Sequence, residues 1–252
     1  GSRLEAELDG IVAGVEQVRV ALGVHALVDH QHGPGRIVAS RYEPDLDPVA
    51  LKWNGQREHA ARSDAVPGGQ YHVGRDQVER AEFVVVAGDV FEHNQLAPDE
   101  VGRSLEVMRG LGVPVYLLPG NHDPLDASSV YTSALFAAER PDNVIVLDRP
   151  GVHEVRPGLE LVAAPWYSKA PTTDLVAEVI DDLPADGVTR IVVGHGAVDI
   201  LVPDKDRASL IRLDALESAL ERGAVHYVAL GDKHSRMSVG GTGRVWYSGS
   251  PE

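Results

Sequence analysis

Four groups of polar side chains stand directly after apolar runs, and their residue types could do chemistry together. A Gly-Asp pair after a strand is often a simple turn in which the aspartate caps the next helix. Three consecutive polar side chains are more than a turn needs, and four such strand ends are not expected as independent turns. We therefore interpret them as one site. The groups are Gly88-Asp89, Gly120-Asn121-His122-Asp123, Gly194-His195-Gly196 and Gly231-Asp232-Lys233-His234.

These side chains suit a pair of divalent metal ions. The chain has no cysteine, so any metal must be held by Asp, Glu, Asn or His, a ligand set that suits manganese, iron or zinc. Two metals about 3.5–4 Å apart need a bridging ligand, for which a carboxylate serves, and Asp89 is our candidate. Asn121 offers a carbonyl oxygen, and His195 and His234 offer imidazole nitrogens. Such a centre binds a phosphate ester and activates water for an in-line displacement.

A further pair of side chains is predicted to act beside the metals. His122 is adjacent to a candidate ligand and is not needed as one, so it is the candidate general acid for the leaving oxygen. Asp123 is the candidate for orienting the His122 ring.

The pattern between the first two groups predicts the elements that position them. Residues 83–87 and 113–118 are apolar runs typical of buried parallel strands, and residues 98–111 have helical spacing. A strand, helix and strand in this order place both groups at the carboxyl edge of neighbouring strands, where open α/β sheets bind ligands. The remaining pattern predicts helices over 4–22, 127–138, 172–183 and 210–222, and strands over 24–28, 144–147, 159–164, 191–193, 225–230 and 244–247.

Composition limits the class of protein. A chain of 252 residues with 43% hydrophobic residues suits one α/β domain or two small ones. The net charge of −15 argues against non-specific electrostatic binding to nucleic acid. No apolar run approaches the roughly 20 residues of a membrane helix and no signal peptide is visible, so a cytoplasmic location is expected.

The four groups, in this order, resemble the motifs of the calcineurin-like metallophosphoesterases. The stretches 84–91 and 116–123 are similar to those of the SbcD-type DNA-repair exonucleases, and Tyr247-Ser248-Gly249-Ser250-Pro251 resembles a segment that follows the last metal motif there. The resemblance covers about residues 82–252. It implies an α/β fold, the four-layer α/β/β/α sandwich, in which residues 81–252 form the core, residues 1–80 are an atypical N-terminal part and the capping domain is absent.

The resemblance also implies roles for single residues. Asp89 bridges two metals, Asn121 and His195 hold one, His234 holds the other, and His122 is the catalytic histidine. Manganese is the first choice of metal, with iron, zinc or magnesium as alternatives.

Three departures from the family pattern bear on this assignment. The first family motif is Asp-x-His, and its nearest match is Asp29-His30-Gln31, so Asp29 and Gln31 are the candidate ligands there. If Asp29 is a ligand, the strand over 24–28 must lie parallel to the strand before Asp89. In the last motif Asp232 replaces a histidine, and it is retained as a candidate ligand. Three residues after Asp89, where the nucleases often have a histidine, stands Glu92.

Three functions follow from these features. The first is a two-metal phosphodiester hydrolase, a DNA exonuclease subunit with an SbcC-like ATPase partner. The second is a phosphatase or phosphodiesterase of small nucleotides, and the third is a degenerate scaffold core that binds the ATPase. A homodimer is one further assembly considered, and no membrane partner is expected. Trp166 and Tyr167 end a strand and either stack on a base or pack in the core.

Overall fold

The computed structural model describes residues 82–205 and 207–249, together with the backbone of three short strands nearer the N-terminus. The strands are Val24–His25 (β1), Leu27–Val28 (β2), Ile37–Val38 (β3), Val84–Val86 (β4), Val115–Leu117 (β5), Val144–Val146 (β6), Gly151–Arg156 (β7), Leu159–Ala163 (β8), Thr189–His195 (β9), Tyr227–Gly231 (β10), Met237–Val239 (β11) and Val245–Tyr247 (β12). The α-helices are Pro98–Gly110 (α1), Ala134–Glu139 (α2), Leu175–Ile180 (α3) and Leu213–Glu221 (α4), with short 3-10 helices at Val130–Thr132 and Asp199–Leu201.

Two sheets carry the predicted site. The first has the order β1-β4-β5-β6, and the second has the order β11-β12-β10-β9-β8-β7. Strands β4, β5 and β6 are mutually parallel, as are β8, β9, β10 and β12, while β7 and β11 are antiparallel edges of the second sheet. All four predicted polar groups therefore follow parallel strands, two from each sheet.

Alternating side chains explain why the sheets stack. Along the first sheet Val85 and Ala87 point into the apolar layer shared with β8, β9 and β10, while Val84 and Val86 point to the opposite face, which α1 and α2 cover. The outer face of the second sheet packs against α3 and α4. A strand buried on both faces reads as a continuous apolar run, as residues 83–87 do. The predicted α/β/β/α order of layers is confirmed.

The helices follow their local signals, with one exception. Pro98 begins α1, which buries Val101, Leu105 and Met108 as its spacing predicted. Asp174 caps α3 through its Oδ1, which accepts from two backbone N–H groups. The exception is the helix predicted over 127–138, which is instead a 3-10 turn followed by the short α2. None of the helices in this described part of the chain is both long and apolar enough to cross a membrane.

The direction of the first strand differs from the expectation. Strand β1 lies beside β4, as predicted, but antiparallel to it, with Val24 opposite Val86 and His25 opposite Val85. An apolar run indicates burial and carries no information on direction, because both pairings satisfy the backbone. The expectation of a parallel strand here is wrong. The helix predicted over 4–22 and the candidate ligands Asp29 and Gln31 lie outside the described residues.

Candidate metal centre

The carboxyl ends of β4, β5, β9 and β10 meet at one edge of the two stacked sheets. His195 is the last residue of β9 and lies opposite Gly231, the last residue of β10. On the other sheet, Leu118 N–H bonds Val86 O, which places the loop after β5 beside Gly88 and Asp89. The predicted ligands from both sheets therefore come together here.

Glycines let the chain segments approach closely enough to form the site. A Cβ at Gly88 would overlap the His195 ring, and one at Gly120 would overlap Asp89. A Cβ at Gly231 would overlap the backbone carbonyl of Ala87. Gly88 also has φ +91°, a conformation that side chains rarely adopt. In three of the four polar groups, the preceding glycine is thus required because a side chain would overlap neighbouring atoms, and it does more than make a turn.

Three of the predicted metal ligands converge. His195 Nε2 lies 2.7 Å from Asn121 Oδ1 and 3.2 Å from Asp89 Oδ2. Asp89 Oδ1 accepts a hydrogen bond of 2.9 Å from the backbone N–H of His122. Asp89 has φ +52°, an uncommon conformation for a residue other than glycine, and Asp and Asn adopt it more readily than most. This strained turn aims the carboxylate at His195.

The ionisation of the trio follows from its contacts. His195 is 3% exposed, and burial lowers its pKa, but the Asp89 carboxylate and the Ala87 carbonyl outweigh burial, so the net pKa is raised. Burial raises the pKa of Asp89, but His195 and the His122 N–H outweigh it, and the net pKa is lowered. In the absence of a cation, the imidazolium and the carboxylate therefore stabilise each other.

The same atoms fit a divalent metal ion. His195 Nδ1 lies 2.9 Å from Ala87 O, so Nδ1 carries the proton in the neutral ring and Nε2 is the free ligand atom. Nε2, Asp89 Oδ2 and Asn121 Oδ1 then offer three lone-pair donors to one point. In the described residues, no three His, Asp or Glu side chains gather into a metal-binding group, so Asn121 is the third donor of this trio.

Metal binding at the trio should depend on pH. The metal competes with the Nε2 proton of His195, and that proton is held more tightly than in a free histidine, whose pKa is near 6.5. The affinity should therefore rise about tenfold per pH unit while His195 is protonated and level off above its raised pKa. Calorimetry of Mn²⁺ binding in buffers of different ionisation enthalpy should count about one released proton on the acid side. His195→Asn should abolish this proton release, whereas Asn121→Ala should weaken metal binding and leave the proton release unchanged. Equal proton release in the wild type and both variants would contradict the assignment of His195 as a ligand.

His122 lies at the edge of the site, and its ring is held by Glu92. Its Nδ1 is 3.0 Å from the backbone carbonyl of Glu92 and 3.8 Å from the Glu92 carboxylate. Since a carbonyl only accepts, Nδ1 carries a proton and Nε2 is the atom that can exchange one with a substrate. The side chain is 48% exposed, which suits contact with a substrate. In the sequence, Glu92 was noted only as a departure from the family pattern. The contact with its carbonyl could not be predicted, because any residue type offers the same backbone acceptor.

Asp123 does not orient His122, contrary to the expectation. It is fully buried and accepts hydrogen bonds from Gly120 N–H at 2.8 Å, Phe91 N–H at 3.0 Å and Tyr131 O–H at 2.6 Å. Burial raises its pKa against the effect of these donors. Asp123 thus ties the loop after β4 to the loop after β5, and its role is structural.

Asp123→Ala should destabilise the fold strongly. It leaves two backbone N–H groups and the Tyr131 hydroxyl without their acceptor, and each unsatisfied buried group costs about 1–3 kcal/mol. We expect a loss of about 3 kcal/mol or more in the free energy of unfolding, measured by urea denaturation. Tyr131→Phe removes one donor only and should cost about 1 kcal/mol. An Asp123→Asn protein of unchanged stability with a large loss of turnover would restore the orienting role.

Two of the remaining candidates, Asp232 and His234, follow the carboxyl end of β10. Asp232 has φ +100°, and its Oδ2 lies 3.4 Å from Lys233 Nζ; its negative charge also acts on His195. His234 follows β10 on the exposed surface. The second metal position that Asp232 and His234, with Asp29 and Gln31, were predicted to form stays a prediction.

Trp166 and Tyr167 have opposite environments. Trp166 is 9% exposed, its Nε1–H donates to His195 O at 2.9 Å, and its ring meets the His195 ring edge-on at 5.8 Å. It therefore packs behind the metal ligand, as the core alternative predicted. Tyr167 is 47% exposed.

Comparison with known proteins identifies the family. The sequence model of the calcineurin-like phosphoesterases matches residues 71–236, more than half of the chain. No curated protein matches the chain. One crystal structure is 14% identical with a TM-score of 0.34, over 60% of this chain and 62% of that one, so the match spans less than two thirds of that protein and carries no argument. By its sequence the chain belongs to the calcineurin-like phosphoesterase family, the metal-dependent phosphoester hydrolases, which typically bind two divalent metal ions.

Proposed function

We propose that this chain hydrolyses phosphodiester bonds in DNA, as an SbcD-like nuclease subunit. The observation that carries the hydrolytic part is the convergence of Asp89, Asn121 and His195 on one point, with His122 exposed beside them. The DNA substrate is supported by the similarity of the segments 84–91 and 116–123 to the SbcD-type exonucleases.

The residues divide the work of hydrolysis. Asp89, Asn121 and His195 would hold one divalent ion, which when bound supplies positive charge to the phosphoryl oxygens and lowers the pKa of a water. The water gives up a proton to solvent, its oxygen attacks phosphorus, and the bond to the leaving oxygen breaks. The His122 imidazolium gives its Nε2 proton to that oxygen, while the Glu92 carbonyl keeps the ring in place through Nδ1–H. Asp123 holds the two loops that carry these groups.

The test is hydrolysis by protein stripped of metal with a chelator and reloaded with Mn²⁺. An oligonucleotide labelled at one end should be shortened progressively, in single-stranded or duplex form, and magnesium, iron and zinc are compared with manganese. Products that do not depend on added metal, or an oligonucleotide that stays intact while nucleotides are cleaved, would overturn the DNA assignment.

A second function is favoured by a specific observation. The net charge of −15 disfavours long polyanions, since DNA binding normally relies on neutralising phosphates with Lys and Arg. A small nucleotide makes fewer such demands, so a phosphatase or phosphodiesterase of small nucleotides is the alternative. Cyclic nucleotides and nucleoside monophosphates in the same assay distinguish it. No turnover on any substrate would favour the scaffold function.

We further propose an SbcC-like ATPase as the partner of this chain. The proposal depends on the same resemblance as the nuclease assignment. Light scattering of the purified chain, alone and mixed with such an ATPase, separates a monomer, a homodimer and a complex.

A further inference from the structure

Tyr167 presents an exposed aromatic ring in the segment after β8, whose backbone lies beside the loop that carries Asn121 and His122. Large apolar side chains that are about half exposed are few in the described part of the chain: Val152, Tyr167 and Ile200. Of these, Tyr167 alone carries a ring, and it follows Trp166, whose indole bonds the carbonyl of the metal ligand His195. It is therefore one residue along the chain from a side chain that contacts the metal ligand.

The backbone before Tyr167 is clamped to the loop that carries Asn121 and His122. Trp166 N–H donates to Pro119 O at 3.1 Å, and Leu125 N–H donates to Trp166 O at 2.8 Å. These two bonds bracket residues 120–124 at both ends. The position of Tyr167 relative to the site is thus determined by backbone hydrogen bonds.

The ring itself is also anchored. Tyr167 O–H donates to the carbonyl of Asp148 at 2.8 Å, so the polar end of the side chain is held while nearly half of its surface stays in solvent. Burial and the nearby Asp148 raise the pKa of the hydroxyl, against the effect of Arg149, so it remains a neutral donor. An anchored, exposed ring loses little conformational entropy when a flat group stacks on it.

We propose that Tyr167 is a stacking platform for a nucleobase adjacent to the phosphodiester at the metal centre. Every base has a π face, so stacking of this kind is tolerant of sequence. It also gives an acidic protein affinity for a nucleotide that does not depend on neutralising phosphates. The inference rests on the proposed function, whose substrates all carry bases.

The test uses fluorescence of 2-aminopurine, which is quenched on stacking, so it does not require turnover. A 2-aminopurine dinucleotide and a 12-residue single strand containing the same base are titrated with the full chain. If the platform binds a base without further contacts, the wild-type protein should quench both probes. If further contacts are needed, it should quench the strand and leave the dinucleotide unquenched. Tyr167→Ala should weaken binding by roughly 5- to 150-fold, the range measured for loss of one base–aromatic stack.

Matched variants separate the ring from its surroundings. Tyr167→Phe keeps the ring and loses the bond to Asp148, and it should retain most of the quenching and affinity. Ile200→Ala removes an equally exposed apolar side chain elsewhere and should change neither. An abasic residue in place of the probe base, measured by competition, should bind equally to wild type and Tyr167→Ala.

Two results would overturn the platform: no quenching by the wild-type protein, or equal affinity and quenching by Tyr167→Ala. Quenching without hydrolysis in the metal-loaded assay would refute the proposed reaction and leave the platform standing. Metal-dependent hydrolysis, together with unchanged quenching and affinity in Tyr167→Ala, would refute the platform and leave the proposed reaction standing. Circular dichroism checks that Tyr167→Ala folds, and Tyr167→Leu, which keeps apolar bulk without a ring, repeats the test should it not.

Discussion

Asp89→Asn is expected to abolish metal-dependent phosphoesterase activity while the fold stays intact. The substitution removes the negative charge that faces His195 Nε2 at 3.2 Å and with it the candidate bridging ligand. The loss in metal affinity should exceed the roughly 10–100-fold that loss of an outer-shell partner costs. Turnover should fall to the level of the metal-free protein, measured with Mn²⁺ on an oligonucleotide.

The asparagine variant is chosen because the backbone can keep it. Asn tolerates a positive φ as Asp does, and its Oδ1 can still accept the His122 N–H that bonds Asp89 at 2.9 Å. The thermal unfolding temperature should therefore change little. Asp182→Asn, at an exposed position on another surface, is the matched control and should be fully active. An Asp89→Asn protein that bound both metals by calorimetry and turned over normally would refute the central assignment.

His122→Ala is expected to lower turnover by about 10²–10⁴-fold, the usual contribution of a general acid. Metal affinity should change much less, because the His122 side chain hydrogen-bonds Glu92 and is not one of the three metal donors. The deficit should shrink for a nitrophenyl phosphodiester, whose leaving group needs no proton, relative to DNA. Steady-state rates on both substrates, with Mn²⁺ binding measured in parallel, test this.

Two companion variants sharpen the His122 test. His93→Ala removes the neighbouring, exposed histidine and should be nearly neutral. Glu92→Ala keeps the backbone carbonyl that holds Nδ1 and should retain most of the activity. Equal losses on DNA and on the nitrophenyl ester after His122→Ala would argue against proton transfer and for a role in binding phosphate.

The sequence alone determined which strand ends would carry the candidate site. Apolar runs that end in glycine and a polar group predicted parallel strands whose carboxyl ends share one edge, because side-chain type and burial are local properties of a strand. Asp89, Asn121 and His195 do meet there. The sequence assigned no separate role to the glycines of these groups, and only the packed structure shows that Gly88, Gly120 and Gly231 are required by the closeness of other atoms.

The tertiary structure decided what each polar group contacts. Asp123 stands beside His122 in sequence, yet its side chain is buried against Tyr131 and two backbone N–H groups, because consecutive residues in a tight loop point in different directions. His122 is held by a carbonyl 30 residues away, and Trp166 and Tyr167, adjacent and similar in type, divide between core and surface. The direction of β1 was likewise open, since hydrophobicity specifies burial, and both parallel and antiparallel pairing satisfy the backbone. Sequence patterns indicate which face of a strand or helix is buried. The hydrogen-bond partners of a side chain that are distant in sequence are determined only when the sheets pack together.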